Sequence, residues 1–238
     1  MSRQVRLARF RSDFKKFRIL STKSGSRFPV LWQNRFPCLE DNTANTAFDR
    51  HYIYHVSWAA RIIALTKPVL HIDISSILYF SSIISAFVPV KYYEYRPADL
   101  CLDNLESCTA DLLNLPFPND SVSSMSCMHV VEHIGLGRYG DPLDPDGDLK
   151  AIAELTRSLS PGGNLLFVVP VGKQKLAFNA HRIYTVEKVI SYFPSLKLIE
   201  FALIPDNQNI GGLLRKAEPT LADQQTYGCG CFWFNRPA

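Results

Sequence analysis

The hydrophobic and polar positions of the chain alternate between short, continuously apolar runs and longer segments of helical period. The apolar runs have the length of single buried strands. They predict strands at residues 69–76, 88–94, 122–128, 164–170, 198–204 and 226–234, with one more short strand ending at Asp111. Apolar residues that recur every three to four positions predict amphipathic helices. Such helices are predicted at residues 48–65, 77–87, 147–160 and 185–193.

This order of elements predicts an α/β fold with a doubly wound, mainly parallel sheet of seven strands. Strands that alternate with helices form parallel crossover units. The last two strands follow each other without a helix, which predicts an antiparallel pair at the edge of the sheet. We expect residues 1–50 to form a basic N-terminal arm with a surface loop, and residues 51–238 to form the α/β domain.

Positive charge is concentrated at the amino terminus. The net charge of the chain is only +4, but the first 27 residues hold nine Lys or Arg and a single acid, Asp13. Five apolar residues interleave with these charges loosely at helical spacing: Val5, Phe10, Phe14, Phe17 and Leu20. A basic amphipathic arm of this kind predicts a peripheral contact with an anionic membrane. The alternatives are a solvated extension or oligomer contact and, less in keeping with the few serines, an organellar transit peptide.

Other features of the composition narrow the class of protein. No apolar run reaches the roughly 18 residues of a membrane-spanning helix. The six cysteines form no C-x-x-C pair, and no secretory segment precedes them, so we expect a reducing cytoplasm. Cys229 and Cys231 are expected to be buried thiols on one face of a strand. Charges outside the arm are mixed and no nucleic-acid recognition motif is present, which indicates no nucleic-acid partner. The oligomeric state stays open.

Acidic residues occur at or near the ends of three predicted strands: Asp73, Glu94 and Asp111. Ligands of open α/β sheets bind outside the carboxyl ends of the strands. About twenty residues separate Asp73 from Glu94, the spacing of nucleotide-binding units in which the later acid accepts hydrogen bonds from ribose hydroxyls. We therefore expect the three acids to converge on one nucleoside-sized hollow.

Candidate proton acceptors follow the strand predicted at residues 122–128. His129, His133 and His181 are imidazoles that could remove a proton from an acceptor hydroxyl, with Glu132 or Asp141 orienting the ring. The segment 129–133, HVVEH, also fits a zinc pattern in which two histidines lie on one helical face. That pattern needs a helix where a strand end is predicted, so no metal is expected.

The glycine-rich loop at residues 135–147 adds charge next to these histidines. Arg138 could recognise a sugar or a phosphate, and Asp141 is one of several acids in the loop. Prolines in the segment DPLDPDG make it unlike a calcium loop. The alternative is a rigid structural loop.

Three segments resemble the motifs of class I S-adenosylmethionine-dependent methyltransferases: VLHIDISS at 69–76, ADLLNLPFPNDSVSS at 110–124 and LSPGGNLLFVVP at 159–170. The resemblance covers roughly residues 66–235. It implies S-adenosylmethionine as the cofactor. Residues implied around the cofactor are Asp73, Ser75, Glu94, Asp111, Leu112 and His129. Residues implied around the acceptor are His129, His133, Arg138, Asp141 and His181.

A narrower resemblance rests on residues 129–147, on FNAHRIY at 178–184 and on YGCGCF at 227–232. These are similar to an uncharacterised family of methyltransferase-like proteins known from nematodes and from bacterial surface-polysaccharide gene clusters. The resemblance implies a small-molecule or glycan acceptor in surface polysaccharide biosynthesis. Residues 74–77 hold no glycine, whereas active methyltransferases usually have glycines there. The alternative function is therefore a fold that has lost the cofactor and serves as a binding or assembly component.

Overall fold

The computed structural model describes residues 2–238, which divide into two compact units at the peptide between Phe48 and Asp49. In the N-terminal unit, helix α1 spans Arg3–Lys23, and a short 3-10 turn spans Trp32–Asn34. The rings of Phe10 and Phe14 contact Trp32, with centroid distances of 6.1 and 4.9 Å. These contacts join the helix to the segment that follows it.

Helix α1 is basic, but its charged and apolar side chains are not separated on two faces. Arg6 lies four positions before Phe10 and therefore on the same side of the helix. No residue of α1 is buried, and Phe17 and Leu20 are exposed. The expectation of an amphipathic arm is wrong in this respect, since the helix is charged all round.

The α/β unit holds the remaining helices and all the strands. The helices are α2 at Arg50–Thr66, α3 at Leu78–Ile84, α4 at Gly147–Ser158, α5 at Val186–Ser191 and α6 at Pro219–Asp223. The first five strands are β1 at His71–Ile74, β2 at Val90–Glu94, β3 at Leu105–Thr109, β4 at Val122–Met128 and β5 at Leu159–Val171. The others are β6 at Lys175–Ala177, β7 at His181–Ile183, β8 at Lys197–Ile204, β9 at Leu214–Arg215 and β10 at Gly228–Asn235.

The main sheet has the strand order β3-β2-β1-β4-β5-β10-β8-β9. Strands β1 to β5 pair in parallel, and β10 pairs antiparallel with both β5 and β8. The predicted fold class, a mainly parallel sheet with antiparallel strands at one side, is confirmed. The sheet has eight strands rather than seven, because the two-residue β9 pairs with β8 inside a segment predicted to be a loop. The antiparallel β10 is also internal rather than at the edge.

Two apolar layers cover the two faces of this sheet. Helix α2 contributes Trp58, Ala59, Ile62 and Ile63 to one layer, and their spacing places them on one side of the helix. Asp49 caps the start of α2 by accepting a hydrogen bond from the Tyr52 N–H, and Lys67 ends it in a left-handed conformation. Helices α4 and α5 contribute to the opposite layer. Because β1 to β4 are parallel, their carboxyl ends lie together at one edge of the sheet.

Candidate functional site

A cavity of about 350 Å³ opens at the carboxyl ends of β1, β2, β3 and β4. Each of these strands gives its following residues to the wall, as expected for a ligand site of an open α/β sheet. The wall consists of residues 75, 94–96, 110–113, 129, 130, 133, 134, 139, 141 and 142. The volume lies within the range of small-molecule and cofactor sites.

The turn after β1 has a left-handed backbone conformation that glycine usually adopts, but the residue in that conformation is a serine. Ser75 has a φ of 53°, in the left-handed region. Its N–H and its hydroxyl both donate to the Tyr93 carbonyl, at 2.8 and 3.1 Å. Ser76 is buried beneath and accepts from the Met128 N–H. Ile74 is a buried residue of β1, and the strand backbone there suits a β-branched side chain. The side chains of the turn therefore leave the cavity open.

Glu94 and Asp111 are the two carboxylates in the cavity wall that lie at predicted strand ends. Glu94 Oε1 accepts from the Tyr95 N–H at 2.8 Å, and Asp111 Oδ1 accepts from the Leu113 N–H at 2.9 Å. One oxygen of each group is thus held by the backbone, which fixes the direction of the other oxygen. Leu112, next to Asp111 in the chain, gives the wall an apolar part.

Asp73 does not reach the cavity, so the expected convergence of three acids is wrong in this point. It is the third of four residues in β1, and side chains of a strand alternate between its faces. Asp73 is fully buried and accepts hydrogen bonds from Ser126 at 2.6 Å and from Ser81 in α3. Burial raises the pKa of Asp73 to about 6, although the serine hydrogen bonds act in the opposite direction.

His71 extends this buried polar network along the same face of β1. Its Nδ1 and Nε2 atoms lie 2.8 Å from the Ser124 hydroxyl and 2.9 Å from the Ser126 hydroxyl. Ser126 in turn donates to Asp73. Burial lowers the pKa of His71 to about 3. Burial thus disfavours the charged form of both groups, so it raises the pKa of the acid Asp73 and lowers the pKa of the base His71.

We expect the pair to make opposite contributions to the pH dependence of stability. Between about pH 4 and 6, native Asp73 holds a proton that the unfolded chain has lost, so stability falls as pH rises. Native His71 lacks a proton that the unfolded chain holds, so stability rises with pH in the same window. Each slope has a limit of about 1.4 kcal/mol per pH unit. Urea unfolding should show that, relative to the wild type, Asp73→Asn gains stability with rising pH.

The His71→Asn variant is the matched test of that sign. Relative to the wild type it should lose stability with rising pH across the same window, because the contribution of Asp73 is then unopposed. Parallel curves for the wild type and both variants would contradict the proton assignment in this network.

His129 follows β4 directly and lines the cavity with a left-handed φ of 59°. Its Nδ1 atom lies 2.9 Å from Glu132 Oε1, and its Nε2 atom lies 3.4 Å from Cys229 Sγ. Because the carboxylate accepts the Nδ1 proton, Nε2 is left with a lone pair. Glu132 thus orients the ring, as the sequence predicted for an acid at this place.

His133 also lines the cavity, and its ring is fixed from the other side. Its Nδ1 atom lies 2.5 Å from the Ala180 carbonyl oxygen, to which it donates. Arg138 donates to the same carbonyl at 3.3 Å and does not line the cavity. Both His129 and His133 approach Glu132 Oε1, at 2.9 and 3.8 Å, from a 3-10 turn at Val131–His133. The α-helix needed by the HVVEH zinc pattern is not formed.

Asp141 lines the cavity but uses its carboxylate to hold the loop. Its oxygens accept hydrogen bonds from the N–H groups of Gly135, Gly137 and Tyr139. Partial burial opposes the charge of Asp141, yet these backbone N–H groups lower its pKa below the ordinary value. The group is therefore placed to shape the wall rather than to orient a histidine.

His181 begins β7 and lies outside the cavity wall. Its ring packs at 4.8 Å against the ring of Tyr227. Burial, and then the nearby His133, lower the pKa of His181. His129 and His133 are thus brought together at the cavity, whereas His181 and Arg138 are not part of its wall.

The sequence did not point to three further wall residues, Tyr95, Arg96 and Tyr139. The Arg96 guanidinium lies 5.5 Å from the centroid of the Tyr139 ring, and this pair lies at the cavity. Tyr139 belongs to the glycine-rich loop that the sequence singled out. Arg96 follows Glu94 by two positions but has no motif of its own.

A second group that the sequence missed surrounds His129 with other rings. His51 stacks on it at 5.6 Å and His55 meets it edge-on at 5.1 Å. Burial, and then His129, lower the pKa of His51 to about 4. Burial and then His129 also lower the pKa of His55 well below its usual value. Both rings are therefore neutral near pH 7.

Comparison with solved structures identifies the fold. A putative methyltransferase from Bacillus halodurans superposes with a TM-score of 0.55 at 13% identity, over 77% of this chain and 99% of that one. The 1,6-didemethyltoxoflavin-N1-methyltransferase of Burkholderia thailandensis, with bound S-adenosylhomocysteine, gives 0.55 at 11% identity, over 100% and 92%. The N-methyltransferase NodS of Bradyrhizobium japonicum, in complex with S-adenosylhomocysteine, gives 0.53 at 14%, over 86% and 94%. The fold is that of class I methyltransferases.

Comparisons of sequence add less to this result. Residues 117–201 match a family described as Caenorhabditis protein of unknown function, DUF268. This agrees with the nematode part of the narrower resemblance, while the polysaccharide context stays a prediction. None of the curated proteins compared with the chain matches it. Within residues 2–238, no helix has both the length and the apolar character required to cross a lipid bilayer.

Proposed function

We propose that the protein is an S-adenosylmethionine-dependent methyltransferase acting on a small-molecule or glycan acceptor. The observation that carries the proposal is the cavity at the carboxyl ends of β1 to β4, with Glu94 and Asp111 fixed in its wall. The methyltransferase fold of the structural neighbours supports it.

The residues of the cavity fit the cofactor. A ribose diol needs a carboxylate oxygen, and Glu94 Oε2 has only a long 3.5 Å contact with the Tyr92 hydroxyl. Asp111 and the apolar Leu112 would hold the adenine. The open turn at Ser75 lets the backbone approach the methionine part of the cofactor. When bound, the cofactor supplies an electrophilic methyl group on a sulfonium.

On the acceptor side we assign proton removal to His133. The Ala180 carbonyl keeps the proton of His133 on Nδ1, so Nε2 is free to take the proton of an acceptor hydroxyl. His129 is more enclosed, because its side chain is 4% exposed against 13% for His133. Tyr139 and Arg96 would hold a polar acceptor beside it, through a ring face and a guanidinium.

Native mass spectrometry of the purified protein tests the proposal. We expect a second set of masses, heavier by S-adenosylmethionine or its demethylated product, which denaturation converts to the mass of the chain alone. A single mass that persists after addition of millimolar cofactor would contradict the proposal and leave the function without a cofactor.

A binding or assembly role is the second candidate, and the surface of α1 favours it. This helix exposes Phe17, Ile19 and Leu20 among its basic residues. Its many basic residues attract an anionic lipid surface by charge, which requires no separate apolar face. We expect the full chain to sediment with phosphatidylserine vesicles at low salt and to be released at high salt. No sedimentation at low salt would remove this role.

A further inference from the structure

Two histidines and a cysteine from three distant segments meet beside the cavity. They are His51 in α2, His129 after β4 and Cys229 in β10, and one ligand atom from each lies within 4.8 Å of the others. The distance from His129 Nε2 to Cys229 Sγ is 3.4 Å. In a tetrahedral zinc site, with bonds of about 2.0–2.1 Å to nitrogen and 2.3 Å to sulfur, these two ligand atoms lie about 3.6 Å apart. The pair is thus close to coordination distance already.

Glu132 gives this cluster the outer support that metal-bound histidines usually have. A ligating histidine generally donates its other ring N–H to a carboxylate, which fixes the tautomer and aims the free nitrogen at the metal. Glu132 Oε1 accepts the His129 Nδ1 proton at 2.9 Å, so the lone pair of Nε2 faces Cys229. Glu132 is only 1% exposed, and its position is therefore set by packing.

Two buried polar atoms around the cluster lack hydrogen-bond partners among residues 2–238. One is Glu132 Oε2, on the carboxylate that orients His129, and the other is Nε2 of His55, whose ring packs against His129. Buried polar atoms are nearly always satisfied, so each exception calls for an explanation, of which a bound water or ion is one. Aromatic rings also pack against the cluster. The ring of Tyr227 stacks on His51 at 5.3 Å, and the ring of Tyr52 lies 5.5 Å from that of His129.

We propose that His51, His129 and Cys229 form a zinc site with three protein ligands. Imidazole nitrogen and thiolate sulfur suit zinc, whereas magnesium and calcium prefer oxygen ligands. Catalytic zinc sites keep three protein ligands and leave one position for water or substrate. Because His129 also lines the cavity, the zinc site would adjoin the site where an acceptor would bind. A zinc ion there would polarise an oxygen of the acceptor.

Cobalt is the probe, since it replaces zinc and reports thiolate ligation by a charge-transfer band in the near ultraviolet. The full-length protein is stripped with a chelator and titrated with Co²⁺, and zinc is then added in competition. We expect one equivalent of Co²⁺ to bind with that band, and zinc to displace it. Cys229→Ser should remove the band and weaken Co²⁺ binding more than about tenfold.

Cys231→Ser is the matched control for Cys229→Ser. Cys231 is equally buried on the same strand, with its Sγ atom 4.0 Å from that of Cys229, but it is not part of the cluster. It should keep both the band and the affinity. His51→Asn is a second variant whose affinity should fall more than about tenfold while the thiolate band is retained, so the test stands even where Cys229→Ser does not fold.

Absence of saturable Co²⁺ binding by the wild type would overturn the zinc site. So would a thiolate band that persists in Cys229→Ser or disappears in Cys231→Ser. No S-adenosylmethionine is present in these titrations. Their failure is therefore distinct from failure of the proposed methyltransferase function.

Discussion

Replacement of Glu94 by alanine is expected to weaken S-adenosylhomocysteine binding about 10- to 100-fold. Hydrogen bonds to a charged group contribute about 1.5–3 kcal/mol each, and 1.4 kcal/mol is a factor of ten in affinity. Glu94 is held by the Tyr95 N–H at the end of β2, so its free oxygen is aimed before the ligand arrives. Isothermal titration calorimetry measures the dissociation constant directly.

Glu106→Ala is the control for this variant. Glu106 lies on the neighbouring strand β3, where its carboxylate pairs with Lys91 at 3.0 Å and takes no part in the cavity wall. Its loss changes the charge of the protein by the same amount and should leave the dissociation constant unchanged. Equal dissociation constants for wild type and Glu94→Ala would show that the ligand does not use this carboxylate.

The second large effect is expected for Gly135→Ala in the loop that lines the cavity. Gly135 has a φ of 79°, and an added Cβ would lie 2.0 Å from the Asp144 carbonyl oxygen. That contact is with backbone, which no side-chain rotation relieves. Overpacking costs about 1–3 kcal/mol and a left-handed alanine about 1–2 kcal/mol. Urea unfolding should therefore show a loss of about 2–5 kcal/mol, together with weaker S-adenosylhomocysteine binding.

Gly140→Ala separates the cost of the steric clash from the cost of placing alanine in a left-handed backbone conformation. Gly140 has a φ of 86° in the same loop, but nothing lies within 4 Å of an added Cβ. Only the conformational cost of about 1–2 kcal/mol should remain. If the two variants unfolded at the same urea concentration, the tight approach of Gly135 to Asp144 would not hold the loop.

The parallel part of the fold could be predicted because its signals are local. Strand β4 spans Val122–Met128, the boundaries that its apolar run predicted. The Thr185 hydroxyl accepts from the Lys188 N–H at the start of α5, as a cap residue does. The position of β10 between β5 and β8 could not be predicted, because strand order depends on contacts distant in sequence. Strand β9 has two residues and therefore no period.

The site was predicted in part, and the failures have identifiable causes. Glu94, Asp111 and His129 lie at or just after strand ends, and such positions lie at the binding edge of a parallel sheet. The prediction for Asp73 was wrong because β1 continues to Ile74. Asp73 therefore lies within the strand, and its side chain points to one face of the sheet instead of to the cavity at its edge. Ser75 shows that a left-handed turn does not require glycine in the sequence. Cys229 meets His129 across 100 positions of sequence, a distance at which no motif spacing can be recognised.

The central claim is that the cavity at the ends of β1 to β4 is a nucleoside site. A crystal structure of the protein soaked with S-adenosylhomocysteine tests it most directly. We expect the ribose against Glu94 and the adenine against Asp111 and Leu112. A soaked crystal with the ligand bound elsewhere, or with none in this cavity at saturating concentration, would contradict the claim.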